Sequence, residues 1–230
     1  MNTLPKIATP TFRLTIPSTS KEVIYRPYLV KEEKILMMAI ETGDEGQMTD
    51  AIAEIIKSCF NGIDDVNKLT PYDIEYLFVN LRSKSVGEGI TMNMECDECG
   101  NVSEQAIDLN KIVIKNVENS TTVEIAEGIS IEMRYPKMHE HFEVNTTELL
   151  IEGVTSLIDT IYHGSESYPT KDVSRKDLDE FVEGLTADQF SKLVEIVAEM
   201  PYVSYDMKYK CGKCGHINEI EFKGLADFFI

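Results

Sequence analysis

Two short strings, Cys96-Asp-Glu-Cys99-Gly100 and Cys211-Gly-Lys-Cys214-Gly215, constrain this chain more than any other feature. Both read C-x-x-C-G, and both sit among alternating apolar and polar residues. Aligning them brings further positions into step: Met92 with Met207, Met94 with Tyr209, and Ile107 with Phe222. The segments Ile90–Ile107 and Tyr205–Phe222 therefore read as two copies of one β-hairpin with a cysteine knuckle at the turn. Two residues between cysteines let a single tight turn aim both sulfurs at one point. A glycine after the second cysteine permits φ > 0, so backbone amides can turn toward the sulfurs. Two such knuckles supply four thiolates, the donor set of a closed tetrahedral Zn²⁺ site with bonds of about 2.3 Å. Cys96, Cys99, Cys211 and Cys214 are the expected ligands of one structural zinc.

The competing reading is two separate redox or disulfide pairs. A thioredoxin-like C-x-x-C opens a helix after a strand, and neither pair here is followed by a helical pattern. A compact zinc ribbon separates its knuckles by about 15–20 residues; here residues 100–210 intervene. Zinc would then clamp both ends of a long insertion and couple metal binding to folding of that part. His216 follows Gly215 directly, but four cysteines already complete the site, so it is at most an outer neighbour of the metal. Cys59 lies alone on an apolar helical face and reads as a buried structural thiol.

Around these knuckles the periodicity switches twice. Residues 1–11, with Pro5 and Pro10, read as an extended arm. Phe12, Leu14 and Ile16 alternate, as do Val23 and Tyr25, and Pro17-Ser-Thr-Ser20 between them predicts a hairpin turn. Pro27 would put the second strand on an edge. Helical spacing follows over Lys31–Glu41 (Ile35, Met38 and Ala39 on one face), Met48–Phe60, and from Thr70-Pro71 to about Lys84. Period two returns from Ile90 to Tyr135. Residues 146–163 read as a helix with Leu150, Val154, Leu157, Ile158 and Ile161 in a stripe. Ser174–Leu185 reads as a short acidic helix, and Thr186-Ala-Asp-Gln189 as a capping box opening another. The fold class expected is α+β: a helical part and β segments joined by a split Cys₄ zinc ribbon. The parts are an arm and hairpin (1–30), a helical part (31–89), and a split ribbon (90–230) with the insertion at 100–210.

Charge narrows the function classes. The chain holds 22 basic and 40 acidic residues, a net of −18. A phosphate-binding surface needs a basic face, and an anionic membrane would repel this one. No apolar run approaches the ~20 residues that span a bilayer, and the start, Met-Asn-Thr-Leu-Pro-Lys, has no signal-peptide core. Five cysteines in 230 residues are too sparse for a disulfide scaffold, so a reducing cytosol is the default. The acid is uneven: residues 140–200 carry fourteen carboxylates against four cations, whereas residues 1–30 set Lys6, Arg13, Lys21 and Arg26 against Glu22 alone. Lys6 and Arg13 in the N-terminal arm and hairpin, and Phe228 and Phe229 in the apolar terminal stretch, are the expected partner contacts.

Motifs for catalysis are missing. There is no G-x-x-x-x-G-K-S/T, no G-x-S-x-G and no H-E-x-x-H. His139-Glu-His141 has no further ligands near it and reads as a solvated loop, and His163 reads as a helix-end residue. A closed Cys₄ site leaves no open position for water or substrate, so neither an enzyme nor a small-molecule substrate is expected.

Longer strings carry a resemblance. Leu185-Thr-Ala-Asp-Gln-Phe190, Met200-Pro201, the second knuckle and Gly224-Leu-Ala-Asp-Phe-Phe229 resemble the T4-type bacteriophage baseplate protein family. So do Tyr25-Arg-Pro-Tyr-Leu-Val-Lys-Glu-Glu-Lys-Ile-Leu36 and Asp73-Ile-Glu-Tyr-Leu-Phe-Val-Asn-Leu-Arg-Ser-Lys-Ser-Val-Gly87. The resemblance implies a component of the baseplate hub of a contractile-tailed phage, or a factor that assembles it. Other baseplate or hub proteins would be the partners. The place would be the virion tail baseplate, or the host cytoplasm during assembly. The alternative is a zinc-ribbon module that binds nucleic acid or regulates transcription, though Asp97 and Glu98 at the first knuckle's tip make a poor phosphate reader.

Overall fold

The computed structural model describes residues 7–138, 140, 146–224 and 227, and the first elements form where turn and cap chemistry dictate. Phe12–Thr15 (β1) and Glu22–Tyr25 (β2) make an antiparallel hairpin, with Phe12 opposite Tyr25. Val30–Thr42 (α1) ends at Gly43, whose φ of 65° closes the helix in the left-handed region. Asp44 then caps Glu45–Cys59 (α2) by accepting the Gln47 N–H at 2.7 Å. Phe60–Asn61 (β3) pairs with β2 and gives a sheet of order β1-β2-β3. Thr70 and Asp73 form a capping box at the start of Pro71–Ser85 (α3), with Pro71 in the first turn. Asp73 is fully buried and also accepts from the Ser18 N–H (2.9 Å) and hydroxyl (2.6 Å), which ties the first hairpin's turn to this helix.

Strands follow: Gly89–Glu95 (β4), Val102–Asp108 (β5) and Val113–Lys115 (β6). The chain then builds Thr122–Ala126 (β7), Ile129–Met133 (β8), Thr147–Ser156 (α4), Ile158–His163 (β9), Glu166–Pro169 (β10), Arg175–Glu183 (α5) and Ala187–Ala198 (α6). It closes with Tyr202–Lys210 (β11) and Ile217–Lys223 (β12). The architecture is mixed helix and sheet, α+β.

Two compact units result. The first joins residues 1–115 with 202–230; the second is residues 116–201. In the first, β4 pairs β5, and a separate sheet runs β12-β11-β6. Their apolar faces share a core of Val79, Ile107, Ile112, Val203, Tyr205 and Phe222. Lys115, the last residue of β6, lies opposite Tyr202, the first of β11. Its ammonium meets Asp206 at 2.8 Å and Glu221 at 2.7 Å, and Glu221 also accepts from the Tyr202 hydroxyl at 2.9 Å. The second unit has its own sheet, β10-β9-β8-β7, and its own core, in which Ile131, Leu157 and Leu193 are wholly buried.

Four expectations are corrected here. Residues 146–163 are not one helix: α4 stops at Ser156, and Ile158–His163 is a strand. The Thr155 and Ser156 hydroxyls bond back to the Ile151 and Gly153 carbonyls, which competes with helix propagation just where β-branched residues begin. His163 accordingly ends a strand. Strand β2 is central rather than an edge, because it stops at Tyr25, before Pro27 can interrupt the ladder. Met38 does not share the buried face of Ala39; it is 56% exposed.

Candidate metal centre

The pairing register shows how the chain builds its cysteine cluster. In the first hairpin Gly89 pairs Asp108 and Glu95 pairs Val102; in the second Ser204 pairs Lys223 and Lys210 pairs Ile217. Every pair between these ends corresponds at one constant offset. The knuckles match in the same way. Cys96 N–H donates to Asn101 O and Gly100 N–H to Cys96 O; Cys211 N–H donates to His216 O and Gly215 N–H to Cys211 O. Gly100 (φ 64°) and Gly215 (φ 77°) both adopt the left-handed conformation that a side chain would strain.

This repetition places the sulfurs with an approximate twofold relation. Cys96 Sγ lies 3.7 Å from Cys214 Sγ, and Cys99 Sγ lies 3.7 Å from Cys211 Sγ. Both of these separations run between knuckles. At about 2.05 Å a disulfide would be far shorter. A tetrahedron with metal–sulfur bonds of about 2.3 Å has edges of about 3.8 Å. All four sulfurs lie within 4.8 Å of one another, so the set can hold a metal ion. Cys96 and Cys211 are buried, Cys99 is partly covered and Cys214 is exposed.

Electrostatics favour the same chemistry. Backbone N–H groups of Cys214 and Lys213 point at Cys211 and bring its thiol down to about 6. Burial opposes ionisation of Cys96, but N–H groups of Cys99 and Glu98 and the Asn218 amide lower it. The His216 N–H favours the Cys214 thiolate, yet desolvation and hydrogen bonding with the Cys99, Cys211 and Cys96 side chains push the group up to about 12. Such a cluster cannot carry four negative charges by itself; a bound cation resolves that conflict. The donor set and spacing fit a soft, tetrahedral metal.

Two supporting residues carried no sequence motif. Asn218 is 1% exposed; its Nδ2 donates to Cys96 Sγ at 3.6 Å and its Oδ1 accepts the Asp97 N–H at 3.0 Å. The Tyr209 hydroxyl donates to Glu95 O at 3.0 Å, a second tie between the hairpins. A signal for Asn218 did exist: it occupies the inward phase of β12, in step with Ile220 and Phe222, where a polar residue needs a reason.

The other expected residues fall elsewhere. Arg13 is in β1 and pairs with Glu22 across the hairpin at 2.8 Å, with both side chains largely exposed. Lys6, His139, His141, Phe228 and Phe229 lie outside the described residues. His216 contributes its backbone to the second knuckle. Cys59 is buried in α2, and burial pushes its thiol up to about 11. No described helix is long and apolar enough to cross a membrane.

The sequence matches the family described as T4 bacteriophage base plate protein over residues 9–230. It is also similar to the baseplate hub assembly protein gp26 of Enterobacteria phage T4. The two are 25% identical over 218 residues, which cover 95% of this chain and 97% of that protein. No solved structure matches the chain significantly.

Proposed function

The chain belongs to the T4 bacteriophage base plate protein family, and we propose that it is a non-catalytic component or assembly factor of the baseplate hub in a contractile-tailed phage. Its role in the base plate is structural or in assembly, as the family match over nearly the whole chain supports. The hub is the finer reading, supported by the name of the T4 relative. Its partners are other baseplate or hub proteins, and its place is the tail baseplate or the host cytoplasm during assembly. Neither match lends support to the nucleic-acid alternative.

The observation that carries the non-catalytic reading is the pair of 3.7 Å sulfur separations between knuckles. Cys96, Cys99, Cys211 and Cys214 would hold one zinc with every coordination position filled by thiolate. Catalytic zinc needs an open position for water or substrate, and this donor set leaves none. Bound there, zinc supplies a crosslink between the two hairpins and neutralises part of the thiolate charge. Arg13, Lys6, Phe228 and Phe229 belong to the proposal as partner contacts.

Deleting the gene in the phage tests the assignment. Electron microscopy of the lysate should show no complete baseplates and no sheathed, infectious tails, and a copy supplied in trans should restore them. Normal infectious tails without the protein would refute it. Quantitative mass spectrometry of purified virions then separates a resident component from an assembly factor.

A further inference from the structure

Helix α1 turns an apolar stripe to solvent. Val30, Lys34, Met37, Met38 and Glu41 recur at i, i+4, i+7, i+8 and i+11, one face of a helix. Val30 is 80% exposed, Met37 57% and Met38 56%. The opposite face is fixed by buried Ala39 and by Glu32, which is ion-paired to Arg26 at 2.8 Å. The outward stripe is therefore not free to rotate inward. Methionines are flexible, polarisable contact residues, adapted to packing on another surface.

The charges on this stripe say which surface. Reversing the helix about a twofold axis between Met37 and Met38 sets Met37 opposite Met38 and Lys34 opposite Glu41. Neither Lys34 nor Glu41 makes an ion pair among the described residues. Apolar residues at the centre, with opposite charges exchanged on either side, make an isologous, self-complementary patch. We propose that two copies of this chain pair through antiparallel α1 helices. The contact is independent of the metal centre and goes beyond the hub reading. A single helix pair buries less than the ~1,200 Å² of a standard interface, so the dimer belongs to the weak, concentration-dependent class.

Sedimentation of the full chain from about 1 to 500 μM tests this, a range that brackets weak association. The native protein should move from monomer to dimer across it. Lys34→Glu or Glu41→Lys should each weaken the dimer by roughly tenfold, because each substitution opposes like charges twice. The double variant Lys34→Glu/Glu41→Lys should return to near-native association, since the charges are again opposed. Both changed residues are at exposed positions, and circular dichroism verifies that the helices are intact. A native chain that stays monomeric throughout overturns the proposal. So does a dimer indifferent to the single swaps, or one that the double swap fails to restore; either assigns the contact to another surface.

Discussion

Asn218 holds the first knuckle from the second hairpin: one buried amide donates to Cys96 Sγ and accepts the Asp97 N–H. Metal ligands are oriented by such outer hydrogen bonds, and losing one costs affinity about 10–100-fold. Asn218→Ala should therefore lower zinc affinity by roughly tenfold while leaving the stoichiometry at one. It should also remove about 1–2 kcal/mol of stability, since the Asp97 N–H loses its acceptor. Competition with a chromogenic chelator gives the first number and thermal melts the second. Unchanged affinity would relegate Asn218 to packing alone.

The five thiols should separate into two classes. With metal bound, alkylation of the native protein should be slow at all of them. After chelation Cys96, Cys99, Cys211 and Cys214 should label, with Cys59 protected until unfolding, because it is 1% exposed and burial pushes its thiol up to about 11. Peptide mass mapping checks this. Cys211→Ser with Cys214→Ser should abolish zinc retention, whereas Cys59→Ala should keep it.

The Arg26–Glu32 pair predicts an acid dependence. Burial alone would raise the Glu32 carboxyl, but hydrogen bonds from Arg26, the Leu29 N–H and Lys31 outweigh it and bring the group down to about 2. Its pKa is lower folded than unfolded, so its contribution is full above about pH 5 and fades as pH falls toward 2. Glu32→Gln should cost about 3 kcal/mol near neutrality. The gap to the native protein should close on acidification in denaturant titrations. A gap that persisted at pH 2 would exclude the ion pair as its source.

Because Lys115 lies opposite Tyr202, the strand ends flanking residues 116–201 are already neighbours. Replacing that segment by Asn-Gly should give an ordinary two-residue hairpin turn. The shortened chain should fold and bind one zinc, and residues 116–201 expressed alone should fold on their own core. Heteronuclear spectra of each piece check it. A shortened chain that collapsed without metal would show that the units depend on each other.

The legible and illegible parts of this fold have different physics. The two hairpins were readable because C-x-x-C-G occurs twice with alternating residues around it, and one register reproduces the other. Strand β9 was not, for a specific reason. Its pairing with β8 slips between Glu132 and Met133, passing over Asp159, so Ile158 and Ile161 both face the core at a spacing of three. A bulge thus imitates helical periodicity. The exposure of Met38 was equally hidden, since the same stripe of a helix can face a core or a partner. Asn218 had only its parity in the strand to betray it.

The repeat of one hairpin at two distant places also sets a clock. Chains emerge from the ribosome at about 5–20 residues per second, so the second knuckle follows the first by roughly 5–20 s. During that time Cys96 and Cys99 lack their counterparts, and residues 116–201, made in the same interval, complete a core of their own only near its end. The four-thiol centre can close only after Cys214 has been made. A chain stopped early presents half a site and an unpaired hairpin, so metal retention, where the centre takes its ion, would distinguish a finished molecule from an abandoned one.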